Sequence, residues 1–142
     1  MNKVFTVLNR KGDTVISVAP DATVLEALKI MAEKNIGSVV VMKDGNYQGI
    51  LTERDYSRKV ILKGKNSTDT QVLEIMSTDL PSVKPDDSIE HCMELMTNNA
   101  IRYMPVFDEG KLSGIISMSD VVKETILSQK ETISHLESYI NS

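Results

Sequence analysis

Apolar residues recur along two stretches of the chain at the spacing of an amphipathic helix. The first stretch has an apolar residue at i, i+3, i+4 and i+7, namely Val24, Ala27, Leu28 and Met31. The second stretch repeats this spacing with Ile89, Cys92, Met93 and Met96. Thr23 and Glu26 have the spacing of a capping box in front of the first stretch. The pattern therefore predicts two helices, the first ending near Asn35 and the second near Asn98 and Asn99.

Around these helices the pattern changes to short apolar and β-branched runs, which are typical of strands. Two such runs separated by turn residues follow each helix: Ser38–Met42 and Tyr47–Leu51, then Tyr103–Phe107 and Leu112–Ile116. A short extended piece precedes each helix, at Val15–Val18 and at Pro81–Val83. A further helix follows each hairpin, from about Glu53 and from about Met118. The predicted order is β-α-β-β-α, twice.

The two stretches belong to a longer internal repeat. A shift of 65 positions aligns Ser17–Asp21 with Ser82–Asp86 and gives 13 identities over the 46 positions from Ser17 to Leu62, without a gap. Chance does not keep turn residues, apolar positions and an acid in register, so the chain is a duplication. Each copy is too small to bury its helices alone. We therefore expect an α+β fold in which the two copies pack about a pseudo-twofold axis into one module.

The boundary between the copies is predicted from composition. Lys63–Thr70 is the only stretch with the composition of a linker. We therefore assign residues 1–64 to the first repeat with an N-terminal segment. Residues 65–142 are assigned to the linker, the second repeat and an extended C-terminal helix.

Composition excludes several classes of protein. The net charge is −4 and the chain has no tryptophan, which argues against a nucleic-acid partner. No apolar run is long enough for a membrane span, and the first residues lack the apolar region of a signal peptide. A single cysteine among 142 residues allows no internal disulfide and favours a reducing compartment. We expect a cytoplasmic protein that contacts no membrane.

The sequence carries no recognisable catalytic constellation. The glycine-rich nucleotide motifs, the paired-histidine zinc motif and the nucleophile elbow are all missing from it. His91 and His135 stand far apart without metal-ligand spacing, so no metal site is expected. Cys92 replaces Ala27 on an apolar helix face and is interpreted as core packing. We expect no enzyme activity.

The strand-to-helix junction of each copy carries the candidate chemistry. Thr52 or Ser117 comes at the end of a strand, and Asp55 or Asp120 follows three residues later. A hydroxyl at a helix start can meet a phosphate oxygen, because unpaired N–H groups and the helix dipole attract anions there. The aspartate can accept hydrogen bonds from the vicinal hydroxyls of a ribose. The alternative is a capping box, in which both side chains only satisfy their own helix.

These repeated junctions resemble those of cystathionine-β-synthase (CBS) domains, and the pair resembles a Bateman module of the small stand-alone type. The resemblance rests on Gly-h-h-Thr/Ser-x-x-Asp (h apolar) in both copies, with support from Val72–Ser77 and Ile101–Val106. It implies binding of an adenosine ligand in the cleft between the copies. AMP is the first expectation, with ATP, ADP, NAD(H) and S-adenosylmethionine as alternatives.

The resemblance also implies roles for individual residues. Asp55 and Asp120 become ribose ligands, and hydroxyls meet the phosphate at Thr52, Ser117 and Ser119. Arg102 becomes a phosphate contact because it stands three residues before Pro105. The adenine is expected against backbone near Val18, Val39, Val83 and Met104.

The two copies differ in where they place positive charge. Gly37 stands at the position of Arg102, and Arg54 stands opposite Ser119. We infer that the two half-sites are not equivalent. Arg54 is either a phosphate contact or part of a solvated basic helix face.

The last helix continues beyond its counterpart in the first copy. It carries an apolar seam with spacings of three, four and seven, at Val122, Ile126, Ile133, Leu136 and Ile140, interrupted by Gln129. The seam packs either on its own module, with the N-terminal stretch Val4–Leu8, or on a second copy. We favour a homodimer, because one small module offers little surface to cover the seam.

The resulting expectation is a non-enzymatic regulatory module that senses an adenosine ligand. Ligand binding would shift the conformation and signal to a separate partner protein whose identity the sequence does not give. The alternative is a ligand-free dimerisation scaffold, in which the capped helices are purely structural.

Overall fold

The computed structural model describes residues 2–12 and 14–141. The helices are α1 (Val4–Lys11), α2 (Val24–Lys34), α3 (Glu53–Tyr56), α4 (Val72–Ile75), α5 (Ile89–Asn99) and α6 (Met118–Asn141). The strands are β1 (Ser17–Val18), β2 (Ser38–Lys43), β3 (Asn46–Thr52), β4 (Tyr103–Asp108) and β5 (Lys111–Ser117). The predicted α+β class with two related repeats is confirmed.

The first repeat forms the unit Val15–Leu80. Helix α2 begins where Thr23 Oγ1 accepts the N–H of Glu26, and it ends at Asn35 with a φ of +54°. Strand β1 pairs in parallel with β2, and β2 pairs antiparallel with β3. The predicted strand Val15–Val18 is shorter than expected and keeps only Ser17 and Val18. The apolar face of α2 and the sheet share one core.

The second repeat has the same order but a smaller sheet. Strands β4 and β5 form a hairpin, and of the predicted extended piece Pro81–Val83 only Val83 pairs, through one parallel bridge to Val106. The reason is Pro105 on β4. In the first repeat the equivalent residue, Val40, donates its N–H to Ile16, whereas proline has no N–H to donate. The ladder therefore stops after one bridge.

The short helix in front of each repeat packs on the other repeat. Val72 and Leu73 of α4 donate their N–H groups to the carbonyls of Ala22 and Pro20, at 2.9 Å each. Val4 and Phe5 of α1 make the same two bonds, also at 2.9 Å, to residues 87 and 85 of the second repeat. Both helices bury apolar side chains in the core that they join. The predicted boundary at residue 64 therefore needs correction: the chain up to Thr14 joins the second repeat, and residues 65–80 join the first.

The predicted linker Lys63–Thr70 is part of the first unit. The carbonyls of Ser67 and Thr70 accept the N–H groups of Leu25 and Val24, both at 2.9 Å. These are first-turn donors of α2, which have no partner inside their own helix. Thr70 is buried as a result.

The closing helices of the two repeats differ in length. Helix α3 is followed by a π-helical segment, Ser57–Ile61, and the chain turns away before Gly64. Helix α6 runs without interruption for 24 residues, as the absence of glycine and proline predicts. From Gln129 to Asn141 its residues are exposed to solvent.

Candidate functional site

The first-repeat junction is a complete capping box. Strand β3 delivers Thr52 to the start of α3, where Thr52 Oγ1 accepts the N–H of Asp55 at 3.1 Å. The carboxylate of Asp55 turns back, and its Oδ2 accepts the N–H of Thr52 at 3.0 Å. Thr52 Oγ1 also lies 3.0 Å from Oδ2 and donates to it. The side chains predicted to grip a ribose and a phosphate therefore satisfy the helix to which they belong.

Two further donors occupy the Asp55 carboxylate. Ser77 Oγ donates to Oδ1 at 2.9 Å and to Oδ2 at 3.2 Å. The ammonium of Lys59 lies 3.1 Å from Oδ1 and donates to the Ile75 carbonyl at 2.9 Å. The side chain is only 7% exposed. Both oxygens of Asp55 are thus engaged inside its own unit.

The second-repeat junction has the same capping geometry with fewer donors. Ser117 Oγ accepts the N–H of Asp120 at 3.1 Å, and Oδ2 of Asp120 accepts the N–H of Ser117 at 2.9 Å. Lys11 of α1 donates to the same Oδ2 at 2.8 Å and to the Ile115 carbonyl at 2.9 Å. Among the described residues, these donors reach only Oδ2. Since the side chain is 17% exposed, the Oδ1 edge is the acceptor that this junction can offer to a hydroxyl.

The predicted basic and hydroxyl residues lie close to these helix starts. The carbonyl of Arg102 accepts the N–H of Met118, the first residue of α6, at 2.8 Å. In the first repeat the carbonyl of Gly37 accepts the N–H of Glu53 in the same way, at 3.1 Å. Arg102 and Ser119 are exposed. The second repeat therefore brings Ser117, Ser119, Asp120 and the backbone of Arg102 to one place.

Arg54 lies in the first turn of α3 and its residue is exposed. It follows Thr52 at the same distance as Ser119 follows Ser117. The inequivalence of the two half-sites and a phosphate contact by Arg54 stay predictions.

The four residues predicted near the adenine have buried side chains. Val18 and Val39 lie in the core of the first repeat, and Val83 and Met104 lie in that of the second. The backbone of Val83 is also paired, since its N–H donates to Pro105 at 3.1 Å and its carbonyl accepts from Phe107 at 2.9 Å. These side chains contribute packing, and a ligand could meet only remaining backbone groups at these positions.

Three residues that contact the carboxylates do not appear in the sequence prediction: Lys11, Lys59 and Ser77. Lys59 had a signal, because it stands four residues after Asp55, in the π-helical segment that follows α3. Ser77 ends the segment Val72–Ser77, and its N–H and carbonyl pair with Ile50 of β3 at 2.8 and 3.0 Å. Lys11 could have been found from the apolar pattern of Val4–Leu8, which matches that of residues 72–76.

Helix α1 also neutralises a second acid of the second repeat. Glu124 is 2% exposed, and its two carboxylate oxygens accept hydrogen bonds from Asn2 and Arg10. In the repeat alignment Glu124 stands at the position of Lys59. The second repeat thus has an acid where the first repeat has Lys59. The cations that pair with its two acids, Arg10 and Lys11, come from α1 instead.

The thiol of Cys92 is buried in the second core. Burial and the nearby charge of Asp87 raise its pKa from 9.0 to about 11. A thiol with a raised pKa holds its proton at neutral pH and is a poor nucleophile. Its position is consistent with the predicted packing role.

Among the described residues, no helix is both long and apolar enough to cross a membrane.

Comparison with known proteins gives matches over most of the chain. The family model described as "CBS domain" matches residues 11–61 and 72–126. The mitochondrial CBS domain-containing protein CBSX3 of Arabidopsis thaliana is 40% identical over 125 residues, which cover 84% of this chain and 61% of that protein. The CBS domain-containing protein YhcV of Bacillus subtilis is 36% identical, with 75% and 76% of the two chains covered. The chain thus spans about three fifths of the Arabidopsis relative.

Solved structures of CBS-domain proteins superimpose on most of this chain. A Burkholderia ambifaria protein with CBS domains, proposed to act in signal transduction, superimposes with a TM-score of 0.86 at 42% identity, covering 90% of this chain and 96% of that one. A CBS-CP12 protein of bloom-forming cyanobacteria, described as hexameric, gives a TM-score of 0.74 at 30% identity, over 86% and 70% of the two chains. Inosine-5'-monophosphate dehydrogenase of Methanocaldococcus jannaschii matches 77% of this chain but only 21% of the enzyme. The similarity to that enzyme covers only a small part of it.

Proposed function

This chain belongs to the CBS-domain family, as a pair of such domains, and we propose that it is a regulatory module that binds an adenosine ligand. AMP is the first candidate, and ATP, ADP, NAD(H) and S-adenosylmethionine are alternatives. The observation that supports binding is the hydroxyl and carboxylate pair at the start of α3 and again at the start of α6. Ligand binding would shift the conformation of the module and signal to a separate partner protein. We expect the protein in the cytoplasm.

Within this proposal the second-repeat junction is the principal half-site. The side chain of Asp120 is 17% exposed and has two donors on one oxygen, whereas both oxygens of Asp55 are engaged and its side chain is nearly buried. A ribose hydroxyl at Asp55 would have to displace Ser77 or Lys59. At Asp120 it adds to a carboxylate with remaining acceptor capacity. Arg102 and the hydroxyls of Ser117 and Ser119 are the matching phosphate contacts.

Lys11 modifies this half-site. Its ammonium lies 2.8 Å from the Asp120 carboxylate and holds it in the capping orientation. Because Lys11 is 39% exposed, its side chain can turn toward a phosphate when ribose hydroxyls bind at Oδ1 of Asp120. In this scheme Lys11 pairs with Asp120 before a ligand binds, and it is available to the phosphate afterwards.

The test is a thermal-shift panel of AMP, ADP, ATP, NAD(H) and S-adenosylmethionine on the wild type, Asp120→Asn and Asp55→Asn. A ligand at a hundred times its dissociation constant adds about 2.7 kcal/mol of stability, which corresponds to roughly 8 °C in a chain of this size. We expect one ligand to raise the melting temperature of the wild type and of Asp55→Asn. Asp120→Asn should abolish the rise. An equal rise in Asp120→Asn and the wild type contradicts the assignment of the half-site.

The second candidate function is a dimerisation scaffold without a ligand. It is favoured by the capping geometry, since both aspartates already accept the N–H at the start of their own helix. It predicts no change of melting temperature with any ligand of the panel. It also predicts no heat of binding in calorimetry, so that the two functions give opposite results in the same experiment.

A further inference from the structure

The C-terminal half of α6 extends beyond the unit to which it belongs. The helix has 24 residues, and its residues from Gln129 to Asn141 are exposed. This part is about 20 Å long at the ordinary rise of a helix. A helix of that length without packing is marginal in water. The exposed part of α6 therefore requires a partner to be stably helical.

One face of α6 has the spacing of a coiled coil. The α6 seam consists of Val122, Ile126, Gln129, Ile133, Leu136 and Ile140, which alternate at spacings of four and three residues. This is the a and d pattern of a heptad repeat, with one polar residue among five apolar ones. The apolar members are between 46% and 78% exposed. The seam is thus accessible over its full length of about 27 Å.

The beginning of the seam borders a groove. The groove lies along one face of α6 and has a volume of about 510 Å³. It is lined by Met118, Val122, Ile126 and Leu127, together with the stems of Lys123 and Lys130. A groove of this kind can take the apolar side chains of a second helix and leave the two ammonium groups in water. The seam and the groove form one continuous surface.

We propose that the α6 seam pairs with the α6 seam of a second copy as a parallel, in-register coiled coil. Gln129 is the reason for this choice of partner. In a parallel dimer the two Gln129 side chains meet, and each amide can donate to the carbonyl of the other. In the antiparallel arrangement that stacks the same seam, Gln129 faces Ile133 and its amide is buried without a partner, which is unfavourable.

The residues beside the seam are compatible with this pairing. Across a parallel dimer Thr125 faces Lys130 of the second copy, and Thr132 faces Glu137. No like charges are therefore placed opposite each other. A single polar layer in an apolar seam selects register and orientation at some loss of stability. The inference concerns assembly and is independent of nucleotide binding.

Light scattering coupled to size exclusion tests the dimer with the full chain. The wild type should be a dimer at micromolar concentration. The double variant Ile133→Glu/Leu136→Glu should raise the dissociation constant of the dimer by about 100-fold or more, because charges would be buried in the seam. The control Ser134→Glu/Ser138→Glu adds the same charges outside the seam and should stay dimeric. A monomeric wild type, or a dimeric seam variant, overturns the proposal.

A disulfide experiment tests the orientation. In the parallel dimer the introduced thiols of Ile140→Cys lie opposite each other, and oxidised glutathione should link them. In the antiparallel dimer position 140 faces position 122, and the two introduced thiols are about 27 Å apart. The native Cys92 is buried, so the wild type measures the background. Failure of Ile140→Cys to link, while a mixture with Val122→Cys does link, overturns the parallel arrangement.

Gln129→Leu tests the role of the polar layer. The variant should self-associate more tightly than the wild type, because the seam becomes fully apolar. It should also lose orientation, so that Gln129→Leu/Ile140→Cys links less completely than Ile140→Cys alone. An unchanged yield of linked dimer would show that Gln129 does not select the parallel form.

Discussion

Removal of the two junction carboxylates should affect stability very unequally. Asp55→Ala deletes a capping interaction worth about 1 kcal/mol. It also leaves the Ser77 hydroxyl and the Thr52 N–H without an acceptor in a nearly closed space, at a cost of about 1–3 kcal/mol. We therefore expect Asp55→Ala to lower the free energy of unfolding by roughly 3 kcal/mol.

Asp120→Ala should cost much less. It loses the same kind of cap, about 1 kcal/mol, and an ion pair with Lys11. That pair is largely exposed on the lysine side, at 39%, so screening limits its contribution to between 0 and about 1 kcal/mol. The expected loss is about 1.5 kcal/mol, which is about half of that for Asp55→Ala.

Urea unfolding followed by circular dichroism, at one fixed protein concentration, measures both variants. Asp79→Ala is the matched control, since Asp79 is an exposed acid outside both junctions. It should change the stability by no more than about 0.5 kcal/mol. Equal losses in Asp55→Ala and Asp120→Ala, or a larger loss in Asp120→Ala, would refute the reasoning that the two carboxylates are held differently.

Two further predictions concern packing and titration. A Cβ on Gly49 would lie 2.6 Å from the backbone oxygen of Ser77, whereas one on Gly114 would lie 2.8 Å from a terminal methyl carbon of Leu8. Gly49→Ala should therefore destabilise the chain by roughly 2–3 kcal/mol, because a backbone oxygen cannot move aside easily. Gly114→Ala should cost less than about 1.5 kcal/mol, because the Leu8 side chain can rotate away. The reverse order in urea unfolding contradicts this. The pKa of the Cys92 thiol is raised from 9.0 to about 11 by burial and by the charge of Asp87. The folded state therefore holds this proton more tightly than the unfolded state, and stability should fall as the pH rises from 9 to 11. Cys92→Ala should reduce the fall of stability between pH 9 and 11. The burial of the thiol would be contradicted if a thiol reagent modified the native wild type at pH 8 as fast as the urea-unfolded chain.

Much of the fold follows from local pattern. The stripe from Val24 to Met31 and the cap at Thr23 predict α2, and the structure places both as expected. The gap-free alignment of the repeats then carries the same elements to the second half. The pattern fails where one residue breaks the repeat. Pro105 replaces Val40 and removes the donor that a longer strand at Pro81–Val83 would need.

The candidate site is less predictable because its geometry depends on distant residues. The spacing of Thr52 and Asp55 allows both a cap and a ligand grip. Ser77 favours the cap in the first repeat, and Lys11 holds Asp120 from a helix more than a hundred positions away. The pattern within one repeat does not reveal such partners, because they follow from the exchange of α1 and α4 between the repeats. Only a comparison of Val4–Leu8 with residues 72–76 indicates that exchange.

That exchange makes the two folding units unequal as segments of the gene. The unit Val15–Leu80 is one contiguous stretch that already contains its own α4, whereas the other unit joins the residues up to Thr14 to those from Pro81 onward. A fragment that begins at Pro81 would therefore expose the apolar surface that Val4 and Val7 now cover. During synthesis the contiguous unit is complete once Leu80 has been added, whereas α1 has to wait for the second repeat before it finds its place.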